Sequence, residues 1–200
     1  MSSGNIWDSR YAGDAFMYGT APNDFLREQV AVLPAGARVL CLAEGEGRNA
    51  VFLAERGFVV TGVDGSKVGL EKAQKLAAQR GVKLENIVAD LREFELGTAK
   101  WDAIVSIWCH VPPDLRASLH PKIVAALKPG GVFLLEHYHP KQLGYGTGGP
   151  PDAKLLVTRA DLEHDFAALK VLHAFEGERD IHEGSGHAGK SFVTQFIARR

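Results

Sequence analysis

The stretch Val39-Leu40-Cys41-Leu42-Ala43-Glu44-Gly45-Glu46-Gly47-Arg48-Asn49 decides the fold. Its apolar run reads as a buried strand that breaks into two glycines one residue apart. The residues from Arg48 to Arg56 then read as helix. Gly45 and Gly47 permit torsions and a close approach that a side chain would forbid. The helix behind them points free N–H groups at whatever sits over the turn. A second strand, Phe58 to Val63, ends at Asp64, nineteen positions after Gly45. An acid at that distance is where this architecture grips a ribose hydroxyl. Together these features make a loop shaped for an adenosine-type cofactor.

Outward from the turn, strands and helices alternate. Pro22-Asn23-Asp24 starts a helix with Asn23 or Asp24 as cap, and Leu26, Val30 and Leu33 follow at helical spacing. Ser66 caps another helix, whose Leu70, Ala73 and Leu76 keep a 3–4 spacing up to Gly81. Its Lys67, Lys72, Lys75 and Arg80 read as a solvated face. Strands follow at 86–89, ending on Asp90, and at 103–107, the latter almost wholly apolar as a central parallel strand should be. Pro112-Pro113-Asp114 opens a helix that Lys128-Pro129-Gly130-Gly131 ends, and Val132 to Tyr138 is a further strand. This alternation predicts a parallel sheet with helices on both faces. Right-handed crossovers bring Glu44, Asp64, Asp90, Cys109, His110 and His137 to His139 to one rim, where ligands bind.

Either end of the chain departs from that pattern. Residues 5–22 hold Trp7, Tyr11, Phe16, Met17 and Tyr18 without a clear period. They are too aromatic for a disordered tail, so an arm packed on a pocket mouth or on exposed core is expected. Residues 144–151 read as a loop, and Thr158-Arg159-Ala160-Asp161 as a capping box for a short helix. Two antiparallel strands, 166–175 and 191–198, are joined by a glycine- and charge-rich connection containing Arg179, His182, Glu183 and His187.

The 200 residues read as one domain: 1–35 arm and helix, 36–138 cofactor core, 139–200 loop, short helix and hairpin. Hydrophobic residues make 46% and charged residues 24%, a globular balance, and the net charge of −1 gives no field favouring nucleic acid or an anionic membrane. No apolar run approaches the ~18 residues of a membrane span. The N-terminus lacks the basic and apolar segments of a signal peptide. Cys41 and Cys109, in or just after strands, read as buried reduced thiols, and a cytoplasmic location is expected.

Two cofactors compete for the turn. Read as Gly45-x-Gly47-x-x-Ala50, it satisfies a dinucleotide fingerprint and admits a nicotinamide oxidoreductase. Against this, little chain remains beyond the sheet for a substrate domain, and no Tyr-x-x-x-Lys pair occurs. With Asp64, Asp90 and Lys128-Pro129-Gly130-Gly131 in place, residues 36–138 resemble a class I S-adenosylmethionine-dependent methyltransferase. Trp7, Arg10-Tyr11, Tyr18-Gly19, Pro22-Asn23-Asp24-Phe25-Leu26 and Ala43 to Ala50 resemble a small bacterial group related to the tellurite-resistance and thiopurine methyltransferases.

That resemblance implies a Rossmann-like, seven-stranded, mostly parallel sheet with a C-terminal antiparallel hairpin. It places Ala43, Glu44, Gly45 and Gly47 against the methionine part of the cofactor, with Arg48 and Asn49 at the helix start. Asp64 takes the ribose hydroxyls, Gly65 and Ser66 flank the adenine, and Asp90 with the Leu91 amide meets its edge. Cys109 and His110 line the methyl-transfer site. Where the family is usually acidic and glycine, this chain has Cys41 and Ala43, so Glu44 or Glu46 would have to stand in for the contact to the α-ammonium.

The activity implied is methyl transfer to a small molecule, with no nucleic-acid or membrane partner. A thiol or reduced chalcogen acceptor needs no strong base, whereas oxygen or nitrogen would want one, and histidine suits that role. Aromatic faces from Trp7, Tyr11, Tyr18 or Trp108 suit a sulfonium. The catalytic candidates are His110, His139, Arg179 and His187, the last two folding over the pocket from the hairpin connection. No metal site is expected, since the end of one strand supplies only His137 and His139. A cofactor-binding module without catalysis is the remaining alternative.

Overall fold

Alternate residues of Arg38–Leu42 (β1) face opposite sides of the sheet. Val39 and Cys41 enter one core with Phe25 and Leu26, while Leu40 and Leu42 enter the other with Leu115, Leu119 and Ile123. The computed structural model describes residues 3–200, with side chains from Ile6 onward. Met1 and Ser2, part of the stretch read against a signal peptide, lie outside the described residues.

The helices are Ser3–Tyr11 (α1), Asp24–Gln29 (α2), Arg48–Glu55 (α3), Lys67–Gln79 (α4), Pro113–Ala126 (α5) and Arg159–Asp165 (α6). The strands after β1 are Val59–Asp64 (β2), Glu85–Val88 (β3), Trp101–Ile107 (β4), Leu127–Tyr138 (β5), Lys170–Glu183 (β6) and His187–Arg199 (β7). They form one seven-stranded sheet in the order β3-β2-β1-β4-β5-β7-β6. The first five strands run parallel, and β7 is antiparallel to both β5 and β6. This is the expected architecture. The caps at Asn23 and Ser66 are present, as is the box of Thr158 with Asp161.

The structure departs from the sequence reading in four places. The arm is not irregular: Ser3–Tyr11 is helix, with Trp7 and Tyr11 stacked one turn apart. Lys128 to Gly131 does not simply end α5 but bulges inside β5. There the register slips between Trp101 and Ala103, and a Cβ on Gly131 would come within 3.1 Å of the Trp101 carbonyl oxygen. The hairpin has almost no connection, because β6 and β7 run on to a turn at 184–186, so Arg179, Glu183 and His187 are strand residues. Finally, Lys72 is buried rather than solvated.

Candidate active site

A cleft of about 890 Å3 follows the C-terminal rim of the sheet. Going from β3 towards β7, its floor is Asp90 and Leu91, then Asp64 and Gly65, then Ala43 and Glu44, then Trp108 to His110, and finally His187. Its roof is the arm, through Trp7, Arg10, Tyr11 and Tyr18, together with the loop from Gly148 to Pro151. That size suits a drug-sized ligand.

The two glycines of the turn work differently from the expectation. Neither lines the cleft. A Cβ on Gly47 (φ +89°) would lie 2.4 Å from that of Ala73, and one on Gly45 would lie 2.7 Å from the Tyr11 hydroxyl oxygen. They let α4 and the arm close onto the turn. Ala43 does line the cleft and holds φ +50°, a left-handed torsion natural to glycine. Trp108, just past β4, is similarly strained at φ +56°.

Asp64 is buried at the end of β2, and its carboxylate accepts from Gly45 N at 2.9 Å and Ser66 N at 2.7 Å. It thereby fixes the turn from below while still facing the cleft. Ser66 does not reach the cleft: its hydroxyl donates to Asp8 and accepts from Gly69 N, capping α4. Glu44 turns its carboxylate back to the start of α3 and accepts from Ala50 N at 2.7 Å. Burial pushes Glu44 up to about 7, partly opposed by the Ala50 amide and by Arg48. The Cys41 thiol is raised well above the usual range by its own burial first and then by the neighbouring Glu44 carboxylate. A carboxylate from the turn thus sits beside the strand position that lacks one. Glu46 is engaged elsewhere, paired with Lys72 at 2.5 Å and accepting from Met17 N at 2.8 Å.

The β7 end of the cleft is a box of rings. Trp108 stacks on Tyr138 at 4.4 Å, His110 lies 5.7 Å from Tyr138, and His187 lies 4.6 Å from Tyr18. Cβ atoms on Gly148 and Gly149 would fall 2.7 Å from Tyr138, so only glycine lets this loop lie flat on that ring. Burial, with a contribution from His187, holds His110 down at about 3, and neither ring nitrogen has a hydrogen-bond partner of good geometry. Burial also lowers His187, against the pull of Glu183, and pushes the Cys109 thiol up to about 12.

Two of the catalytic candidates lie outside the cleft. His139 caps the short 3-10 turn after β5, its Nδ1 accepting from Lys141 N, with Glu176 3.6 Å from Nε2. Arg179 is held behind the wall by Glu136 and Asp24. It belongs to a buried polar network the sequence reading missed. Asn23 Nδ2 donates to Glu136 and to Glu183, at 2.6 and 2.8 Å. Glu183 also accepts from Arg48 and Trp108 Nε1, both at 2.6 Å. Burial alone would raise Glu183, but His187, Arg48 and Trp108 outweigh it and hold it at about 2. Asn49 joins from α3 by accepting from Asn23 N. One signal was visible: Glu136 interrupts the apolar run of β5, and a carboxylate there must be paired.

Among the described residues, no three of His, Cys, Asp and Glu gather closely enough to hold a metal ion. No helix among them is long and apolar enough to cross a membrane. Cys41 and Cys109 are both free and buried.

The strand order, the turn after β1, the acid after β2 and a cleft on that rim define the class I S-adenosylmethionine-dependent methyltransferase fold. Residues 39–131 match the Methyltransferase domain family. The chain is 31% identical over 146 residues to a 2-heptyl-1-hydroxyquinolin-4(1H)-one methyltransferase of Mycobacteroides abscessus, covering 68% of this chain and 63% of that protein. Matches to tRNA (uracil(54)-C(5))-methyltransferases of Pyrococcus species cover only 25 to 29% of those proteins. The chain therefore spans less than two thirds of the curated relatives it matches here.

Among solved structures, one described as the conversion of a disulfide bond into a thioacetal group during echinomycin biosynthesis superposes with a TM-score of 0.78 at 20% identity. That match covers 100% of this chain and 92% of the other. TehB from Haemophilus influenzae gives 0.73 at 16% identity, covering 98% and 66%. S-Adenosylmethionine is the cofactor of this class, which sets aside the nicotinamide reading. The residues present fit it, with the Asp64 carboxylate at mid-cleft, Ala89 to Leu91 after β3 and an aromatic box beyond β4.

Proposed function

We propose that the protein transfers a methyl group from S-adenosylmethionine to a small, soft nucleophile such as a thiol or a reduced chalcogen. The observation that carries this reading is the acceptor end of the cleft, a box of rings in which neither ring nitrogen of His110 has a hydrogen-bond partner and Glu183 is engaged by Arg48 and Trp108. Burial holds His110 at about 3, which makes it a weak base, and lowers His187 against the pull of Glu183. An acceptor that ionises unaided needs neither as a base.

When bound, S-adenosylmethionine supplies an activated methyl group on a sulfonium sulfur. Asp64 would take the ribose hydroxyls, and Asp90 with Leu91 the adenine. Of the two acids in the turn, Glu46 is paired with Lys72, and Glu44, which lines the cleft, would meet the α-ammonium while its Oε1 accepts from Ala50 N. Trp108, Tyr18 and the Gly148 to Pro151 loop would exclude water and hold the acceptor in line. A ring nitrogen of His110 would accept a hydrogen bond from the acceptor's S–H and hold that sulfur in line; the thiol proton would go to solvent on ionisation, and the cofactor would supply the methyl group as its own sulfonium–methyl bond breaks, leaving a neutral thioether.

The solved structure whose description concerns sulfur chemistry supports this choice. The Mycobacteroides abscessus relative supports a second reading, a planar N-hydroxy heteroaromatic that would stack in the box. The near-neutral charge and the roofed cleft speak for a small molecule over a nucleic acid.

The test is transfer of a labelled methyl group to a panel of thiols, selenite, tellurite, N-hydroxy heteroaromatics, protein and tRNA. Label on small thiols or chalcogens is expected. Label on tRNA or protein alone would overturn the acceptor class, and no label on anything would favour a module without catalysis.

A further inference from the structure

We infer that Glu183 is a positioning residue for the methyl acceptor: by taking the indole N–H of Trp108 it holds that ring as the fixed wall on which the acceptor lies. This rests on the reading of that end of the cleft as the acceptor site, and it assigns what gives the site its shape. Trp108 follows β4 directly and holds φ +56°, a torsion that a bulky side chain rarely adopts and that its surroundings must enforce. Trp108 N donates to the Glu136 carbonyl at 2.9 Å, and His110 N donates to the Trp108 carbonyl at 3.0 Å. A regular strand sends successive side chains to opposite faces, yet Trp108, Cys109 and His110 all line the cleft. The left-handed residue is what brings the three to one side.

Those backbone bonds leave the indole free to turn about its own side-chain torsions. Tyr138 stacks on the ring at 4.4 Å, His187 meets it edge-on at 5.1 Å, and Nε1 donates to Glu183 Oε2 at 2.6 Å. Glu183 is itself held. Its Oε2 also accepts from Arg48 at 2.6 Å, its Oε1 accepts from Asn23 at 2.8 Å, and the residue is buried. Its carboxyl, held at about 2, is ionised across the neutral range, so the bond to the indole is charge-assisted. The anchor thus draws on the cap of α2, the start of α3 and β6, three elements remote in sequence from Trp108. With one indole face on Tyr138, the other is a flat apolar surface for a ligand. It suits a planar, polarisable acceptor such as an aromatic thiol better than a branched one.

The experiment compares wild type, Trp108→Phe and Glu183→Gln in methyl transfer to thiophenol and to 2-mercaptoethanol, with S-adenosylhomocysteine titrations and the indole N–H resonances alongside. Trp108→Phe keeps a ring and removes the N–H; Glu183→Gln keeps an oxygen facing it. In Trp108→Phe the KM for thiophenol should rise about 10-fold, because only a fraction of molecules then presents the ring in the binding orientation. Its kcat and the S-adenosylhomocysteine dissociation constant should stay within about twofold, and 2-mercaptoethanol, with no ring to stack, should change less than about threefold. Glu183→Gln should keep the thiophenol KM within about threefold of wild type while moving the Trp108 N–H resonance as the charge is lost. An unchanged KM in Trp108→Phe, or one that rises in step with the S-adenosylhomocysteine dissociation constant, would overturn the inference. A wild type that methylates neither thiol would overturn the acceptor class instead, and the resonance then decides. A Trp108 N–H protected from solvent exchange and moved by Glu183→Gln upholds the tether, and one that exchanges freely and does not move overturns it.

Discussion

The two halves of the sheet are held together by opposite means. Around β3, β2 and β1, the turn and its helices close by backbone fit: Gly47 against Ala73, Gly45 under Tyr11, and the Asp64 carboxylate on two amides. Around β5, β7 and β6, the wall of the acceptor box stands on buried charges, with Asn23 bridging Glu136 and Glu183, and arginines from α3 and β6 neutralising them. The first half tolerates little change in shape; the second tolerates little change in charge. The N-terminal arm belongs to both, since Tyr11 packs on the turn while Met17 accepts from the amides of Ser185 and Gly186.

The largest effect should come from the charged half. Glu183→Ala leaves Arg48 buried without its acid, and breaking such a pair costs about 3 to 5 kcal/mol. Guanidinium melts should show that loss, whereas removal of an exposed pair such as Lys67–Glu71 should cost under about 1 kcal/mol. A cost for Glu183→Ala as small as that would mean the network is not what holds this half.

Lys72→Met comes next. The Lys72 ammonium donates to the carbonyls of Gly13 and Ala15, at 2.9 and 2.7 Å, besides pairing with Glu46. Its loss should cost about 2 to 3 kcal/mol. The arm at 12–17 should become the first site of protease cutting. Unchanged cutting there would show that other contacts hold the arm.

That lysine marks where the sequence stopped being legible. The cofactor half was readable because its determinants are local: an apolar run, a glycine spacing and an acid at a set distance. Lys72 lies on the same stripe as Gly69, Ala73 and Leu76, so its inward position was available from the helical period, yet its charge argued for solvent. What resolves the conflict is its set of partners, Glu46 and the carbonyls of the arm, which are remote in sequence. The same holds for Glu183 and Arg179, whose glycine- and charge-rich surroundings read as loop. Ladder pairing with β7 makes them strand. Helix α1 escaped because its only periodic pair, Trp7 and Tyr11, stood in a polar setting.

A pH series should set the halves against each other. Glu44 titrates near 4.5 unfolded and about 7 folded, so its contribution is full below 4.5 and is lost as pH rises to 7. Glu183 runs the other way: folded at about 2, it contributes above 4.5 and loses this as pH falls towards 2. Relative to wild type, Glu44→Gln should gain stability from pH 5 to pH 8, and Glu183→Gln should gain from pH 5 towards pH 2. Parallel curves for either variant and the wild type would refute the assignment for that residue.

The smallest effect concerns the strained torsion in the turn. Ala43→Gly relieves a left-handed alanine and should raise stability by up to about 1 kcal/mol, with unfolded-chain entropy offsetting part of the gain. A fall in the denaturation midpoint would indicate that the methyl group packs usefully there.

The central claim, an adenosyl cofactor in the rim cleft, is tested most directly by thermal melting with S-adenosylhomocysteine and with NAD. At a hundredfold excess over its dissociation constant, a ligand confined to the folded state adds about 2.7 kcal/mol, or roughly 5 to 10 °C for a domain of this size. The account predicts that shift with S-adenosylhomocysteine and none with NAD. A shift with NAD and none with the adenosyl ligand would contradict it.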